Sequence, residues 1–141
     1  MTMAFIIGLM MLPTFNPELL TIPIAHAEER IWTQEEVKQY ATEIAEEFGL
    51  HKGRFLATLE CENRFNTKGQ SQHPNRQRMP EWYTPVGDPL KEQSFGVAMI
   101  NLPSHPGITK EMSENPLFAI PWMAQKFVDG YAYFWTCWPG N

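Results

Sequence analysis

The sequence predicts a mostly α-helical domain with a long loop or a small β region between its second helix and a Ser-x-Gly segment. Three observations carry that expectation. Apolar residues recur at three- and four-residue steps over 33–48, 51–62 and 116–130, the period of a helix with one buried face. Between them, 66–93 loses all periodicity and collects Pro74, Pro80, Pro85, Pro89, Gly69 and Gly87. A chain of 141 residues with 43% apolar and 19% charged residues fits one globular domain, neither two domains nor a disordered chain.

The first residues read differently from the rest. Met3 to Leu12 is apolar and uncharged, and Pro13 ends it. Such a run is too short to span a bilayer, which takes about 20 residues, but suits the core of a signal peptide. Ala25-His26-Ala27 has the small-x-small form of a cleavage site. Every Lys and Arg lies at Arg30 or later, so the usual basic start of a leader is missing. Either the chain begins inside its leader or the leader is atypical; the competing reading is an apolar arm packed on the domain. The expectation is a leader over 1–27, a domain over 28–141 and an exported protein.

Thr33-Gln34-Glu35-Glu36 is a capping-box pattern that opens a first helix. Val37, Tyr40, Ala41, Ile44, Ala45 and Phe48 form its apolar stripe, and Gly49 suits its end. A second helix begins near His51-Lys52 and carries Phe55, Leu56 and Leu59. The aperiodic stretch 66–93 also holds Lys68, Arg76 and Arg78; a structureless segment of that length inside a compact domain is uncommon and often functional. Ser94 to Leu102 is apolar again, and Pro103 and Pro106 frame a turn. A short helix over 109–114 precedes a longer one after Pro116, with Leu117, Ile120, Met123, Ala124, Phe127 and Val128 on one stripe. Pro121 is expected in the first turn of that helix, where proline is tolerated. The aromatic cluster of Tyr131 to Trp138 follows Gly130.

Composition narrows the function classes. A net charge of −5 works against a nucleic-acid binder that relies on a broad basic face, so no nucleic-acid partner is expected. Aromatic residues make up 13% of the chain; such flat side chains fill a core or line a groove for something flat, such as a sugar ring. Trp122 lies within a helical stripe and is expected in the core, whereas Trp82 and Tyr83 sit in the polar loop, where a groove wall is equally open to them. Arg76 and Arg78 are either solvated or face acidic ligand groups. His51, His73 and His105 show no metal-binding spacing, so no metal is expected. Cys61 and Cys137 are the only thiols. Export would let them form a disulfide, and the wheel turns Cys61 about 240° from Phe55, free to meet another element. Two buried free thiols are the alternative.

One acidic residue stands out on the second helix. At about 100° per residue, with Phe55 at the origin, Leu59 falls near 40° and Glu62 near −20°, inside the apolar stripe, while Glu60 lies on its other flank. A carboxyl held against apolar neighbours loses solvation, which disfavours its charged form and raises its pKa. That is what protonating a glycosidic oxygen requires.

The residues around Glu62 strengthen the point. Cys61-Glu62-Asn63-Arg64-Phe65-Asn66 resembles the Glu-Ser-x-Phe-Asn word of the soluble lytic transglycosylase family, whose domains are lysozyme-like. Asn66-Thr67-Lys68-Gly69-Gln70-Ser71 is similar to its continuation, Asn-Pro-x-Ala-x-Ser. Ser94-Phe95-Gly96-Val97-Ala98-Met99-Ile100-Asn101 resembles the second word, Ser-x-Gly-Leu-x-Gln-Ile-Asn. Asn115-Pro116-Leu117-Phe118-Ala119-Ile120 resembles the third, Asp-Pro-x-x-Asn-Ile. The words occur in order and span about 55 to 130.

The resemblance implies a lysozyme-like fold with a groove for the glycan strands of peptidoglycan. Glu62 matches the single catalytic acid/base. It would protonate the bond between N-acetylmuramic acid and N-acetylglucosamine, then assist attack by the sugar's own 6-hydroxyl, leaving a 1,6-anhydromuramoyl end. One Glu suffices when the nucleophile belongs to the substrate, and Glu81, Asp88 and Glu92 in the loop are unplaced. Ser94, Met99 and Asn101 fall on groove positions, with Trp82 and Tyr83 as candidate wall residues. The partner implied is peptidoglycan, acted on by a monomer without a cofactor and touching a membrane only through an uncleaved leader. Met99 replaces the family's Gln, Asn63 its Ser, and no Ala-x-x-x-Tyr-Asn word occurs near the end. Fewer polar contacts weaken substrate positioning. A hydrolytic lysozyme and a binding module without turnover are the competing classes.

Overall fold

The computed structural model describes residues 30–138; the expected leader over 1–27, with Ala25-His26-Ala27, and residues 139–141 lie outside them. The described chain is mostly helical. Its elements run α1 (Gln34–Glu47), α2 (Lys52–Asn63), β1 (Ser94–Phe95), β2 (Ile100–Asn101), α3 (Lys110–Glu114) and α4 (Pro116–Val128), with short 3₁₀ turns at Leu102–Ser104 and Ala132–Phe134.

The capping box forms as expected. Thr33 Oγ1 accepts from the Glu36 amide at 3.2 Å, and the Glu36 carboxylate accepts from the Thr33 amide at 2.8 Å. α1 ends in a Schellman motif: Gly49 takes φ +65°, and the Leu50 amide reaches back to the Ala45 carbonyl at 2.8 Å. Val37, Ala41, Ile44 and Ala45 are buried against α2 and α4. α2 starts at His51, whose Nδ1 accepts from the Arg54 amide at 3.3 Å. It buries Phe55, Thr58 and Leu59. The Thr58 hydroxyl is satisfied within the helix by the Arg54 carbonyl, 2.8 Å away.

The chain leaves α2 abruptly. Arg64 and Phe65 both adopt positive φ, at 50° and 59°, uncommon for residues with a side chain. Asn63 and Asn66 hold this corner. Asn63 Nδ2 donates to the carbonyls of Asn66 and Gly96, each at 3.1 Å, and the Asn66 amide group donates back to the Asn63 carbonyl at 2.8 Å.

The β region differs from the expectation. β1 and β2 form an antiparallel hairpin, with Phe95 opposite Ile100, inside the Ser-x-Gly segment itself. The preceding loop is partly paired: 69–75 runs antiparallel to 90–96 through Ser71 to Ser94, Glu92 to His73 and Asn75 to Leu90. Two glutamine side chains complete the pairing. Gln70 donates to the Asp88 carbonyl at 2.8 Å and accepts from the Asp88 amide at 2.9 Å. Gln93, fully buried, accepts from the Val86 amide (2.8 Å) and the Tyr83 hydroxyl (3.0 Å) and donates to the carbonyls of Asp88 and Lys91.

Gly96 turns the hairpin at φ +77°, and a Cβ there would lie far inside contact distance of the Ser113 carbonyl oxygen. α3 packs beside β1 and α4. Asn115 caps α4 by accepting from the Leu117 amide at 3.0 Å, and Pro116 occupies the first helical position, where its missing N–H costs nothing. Because α4 starts there, Pro121 lies inside the helix, not in its first turn, and cannot donate to the Leu117 carbonyl four residues back. The buried face is Pro116, Ala119, Ile120, Met123 and Ala124, with half-buried Phe127 packed on the core. Leu117 and Val128 are exposed instead, because both fall on the flank of the wheel opposite Ala119.

The disulfide forms. Cys61, one residue before Glu62, bonds Cys137, closing a loop with a sequence separation of 76. Cys137 follows the last 3₁₀ turn and is not helical. Trp135 is buried beside Phe127, and its indole N–H donates to the Ala98 carbonyl at 2.7 Å.

Candidate active site

A cleft of about 960 Å³ opens where the end of α2, the hairpin, α4 and the segment after it meet. Glu62, Ser94, Met99 and Asn101 all line it. The fold therefore gathers these four sequence-predicted residues in one place. Trp82 and Tyr83 do not line it. The Tyr83 hydroxyl is used by Gln93 inside the loop, and Trp82 is half exposed with its ring edge on Tyr83.

Glu62 reaches the cleft from the last turn of α2, on the face that buries Thr58 and Leu59. Its Oε1 accepts from the Cys137 amide at 3.1 Å. Burial raises its pKa above the usual carboxylate range; the Cys137 N–H opposes that, the Glu92 charge adds to it and His73 opposes it. This is the desolvation expected from the helical stripe.

The wall beside Glu62 is polar and ordered. Glu92 accepts from the Ser94 hydroxyl at 2.9 Å and from the Ser71 hydroxyl at 3.0 Å. Asn101 Nδ2 donates to Ser94 Oγ at 3.3 Å, and Ser104 Oγ donates to Asn101 Oδ1 at 2.7 Å. Ser71 and Ser94 are buried and line the cleft. The other wall is aromatic, made by Trp122, Phe134 and Trp135 with His105. Trp122 is thus partly a cleft residue, not purely core, and His105 stands edge-on to it with centroids 4.9 Å apart. Burial and the nearby Lys126 charge lower the His105 pKa, which favours the neutral imidazole.

Met99 sits in the left-handed region at φ +45° and offers the cleft a thioether where a polar side chain is expected. Among the described residues, no group of three or more His, Cys, Asp or Glu side chains is gathered to hold a metal ion. The arrangement combines a half-buried carboxyl of raised pKa, a second carboxylate and an aromatic surface, a combination compatible with acid catalysis on a polyhydroxylated ligand.

Glu92 is the functional candidate that sequence reasoning left unplaced. A signal was present: along extended chain, residues two apart point to the same side. Glu92 therefore shares its face with Ser94, already a groove candidate. Ser71 ends the word similar to Asn-Pro-x-Ala-x-Ser, whereas His73, Ser104, His105 and Phe134 carry no such local signal, since only the tertiary fold brings them together. Compared with protein-family models, curated proteins and solved structures, the chain matches none.

Proposed function

We propose that this chain cleaves the β-1,4 bond between N-acetylmuramic acid and N-acetylglucosamine in peptidoglycan, as a lysozyme-like lytic transglycosylase with Glu62 as its acid/base. The observation that carries the reading is the half-buried Glu62 carboxyl in the same cleft as Ser94. Protonated Glu62 gives its proton to the glycosidic oxygen, and the C1–O bond breaks with its electron pair going to that oxygen. The Glu62 carboxylate then takes the proton of the sugar's 6-hydroxyl as that oxygen bonds to C1. The product carries a 1,6-anhydro end, and Glu62 is protonated again. The aromatic wall of Trp122 and Phe134 offers a stacking surface for the pyranose rings. An exported monomer acting on glycan strands fits this reading, and the Cys61–Cys137 disulfide suits an oxidising compartment.

A second reading, hydrolysis, is favoured by one observation: Glu92 lines the same cleft, so a carboxylate is at hand to activate water. Digestion of purified peptidoglycan followed by mass spectrometry separates the two. Anhydro ends, one water lighter, mean transglycosylation; reducing ends mean hydrolysis. Glu62→Gln abolishes either reaction. Unchanged wall degradation by that variant refutes the reading, and binding by the wild type without any cleavage makes the protein a peptidoglycan-binding module.

A further inference from the structure

We infer that Glu92 is a second working carboxylate of this cleft: anchored by the Ser71 and Ser94 hydroxyls, it supplies the fixed negative charge that stabilises a sugar ring turning cationic as its bond breaks. The inference rests on the reading of Glu62 as proton donor.

The direction of the hydrogen bonds carries the argument. An ionised carboxylate only accepts, so Ser94 and Ser71 each commit their one hydroxyl hydrogen to Glu92, at 2.9 and 3.0 Å. Asn101 Nδ2 in turn donates to Ser94 Oγ at 3.3 Å, and the His73 amide donates to Ser71 Oγ at 3.3 Å. Every donor in this network points towards Glu92. Its two oxygens are fixed on different partners, so the carboxylate cannot rotate freely. Ser71 and Ser94 have only lone pairs left for a ligand, and the whole wall is electron-rich.

Such a wall favours positive charge in front of it. Oriented before the reaction starts, it needs no reorganisation when the ring becomes oxocarbenium-like. It also acts on Glu62. The charged groups whose influence reaches Glu62 are Glu92, which favours its protonated form, and His73, which disfavours it; the Cys137 amide is its hydrogen-bond donor. A proton donor beside a carboxylate fixed by hydrogen bonds is the division of labour that two-carboxylate glycosidases use.

The test compares wild type, Glu62→Gln, Glu92→Gln and Glu92→Asp on purified peptidoglycan across pH. Glu92→Gln keeps shape and removes charge. It should lower kcat by about 100-fold or more, the usual effect of losing one preorganised electrostatic partner. Glu92→Asp, which keeps the charge, should recover part of that loss. Glu62 must be protonated to act, so activity falls as pH rises through its pKa. Removing the Glu92 charge lowers that pKa, and the alkaline limb moves to lower pH, a shift that a purely structural role does not produce. If wild type cleaves and Glu62→Gln does not, while Glu92→Gln keeps both rate and pH profile, the inference is overturned and the Glu62 reading survives. If wild type cleaves nothing, the reading of the activity fails instead. The Glu92 inference, which rests on that reading, fails with it.

Discussion

The backbone amide of Cys137 donates to Glu62 Oε1 at 3.1 Å, and Cys137 is covalently bonded to Cys61, the residue that precedes Glu62. The disulfide thus fixes both the helix end that bears the candidate acid and the amide that orients it. It also anchors the strip bearing Phe134 and Trp135, one wall of the cleft. Reduction, or Cys61→Ser with Cys137→Ser, should lower stability by up to about 4 kcal/mol on the chain-entropy estimate. Activity should fall further than global unfolding explains, because the wall loosens before the core melts. Urea unfolding followed by tryptophan fluorescence, with peptidoglycan turnover measured below the transition, checks both. Equal activity in oxidised and reduced protein would detach the disulfide from the site.

The raised pKa of Glu62 has a cost to stability with a definite sign. The folded state binds the Glu62 proton more tightly than the unfolded chain does. The favourable contribution is fully present below the unfolded pKa and disappears as pH rises through the folded one. Above that, a half-buried carboxylate stands charged. Glu62→Gln keeps an oxygen to accept from the Cys137 amide but carries no charge. The variant should therefore melt higher than wild type at pH 8, and the difference should shrink towards pH 4. Thermal melts at the two pH values measure it; a variant that melts lower at pH 8 contradicts the desolvation argument.

What the sequence made legible is what depends on near neighbours. Thr33 and Glu36 lie three residues apart, and Glu62 sits seven after Phe55, so capping and face follow from helical geometry alone. The loop was opaque for the opposite reason. Gln70 and Gln93 hold it with side chains bonded to backbone up to 22 residues away, and a polar residue serving as a backbone partner has no periodicity. Tyr83 is open to either role in the sequence, and its hydroxyl has a partner inside the loop. Pro121 falls inside α4 because Asn115 caps the helix and Pro116 is its first residue, a boundary that the Asn-Pro pair itself marks in the sequence. Glu92 is the instructive case. Its face was readable from Ser94 two residues on, but a two-residue strand is too short to announce itself as extended chain.

Two glycines separate backbone freedom from space. Gly96 and Gly107 both have positive φ, 77° and 89°. A Cβ on Gly107 meets nothing within 4 Å, whereas one on Gly96 collides with the Ser113 carbonyl. Gly107→Ala should therefore cost only the left-handed backbone penalty, roughly 1–2 kcal/mol. Gly96→Ala should cost that and a further 1–3 kcal/mol or so of overpacking, since α3 must move away from β1. Shifts in the urea midpoint rank the two, and equal shifts would show that α3 yields freely.

Met99 gives the most direct test of what the cleft wants from its ligand. Its side chain lines the cavity near Ser94 and Asn101, with the backbone already in a left-handed turn that a Gln side chain enters with no greater strain. The hairpin loop is held by the Met99 amide on the Gly96 carbonyl at 3.2 Å, a contact independent of the side chain. Met99→Gln exchanges an apolar group for a donor and an acceptor of similar length, so the fold should be unaffected. If polar contact at this position helps hold the glycan, one added hydrogen bond of about 1 kcal/mol raises kcat/KM some fivefold. A fall in KM alone marks ground-state binding, and a gain in kcat marks a contact that tightens as the bond breaks. Steady-state kinetics on a soluble glycan fragment distinguish these, with a thermal melt to confirm equal folding. A Met99→Gln variant that folds like wild type yet binds and cleaves less well would mean that the thioether itself packs against an apolar part of the ligand, such as the methyl of an acetamido group.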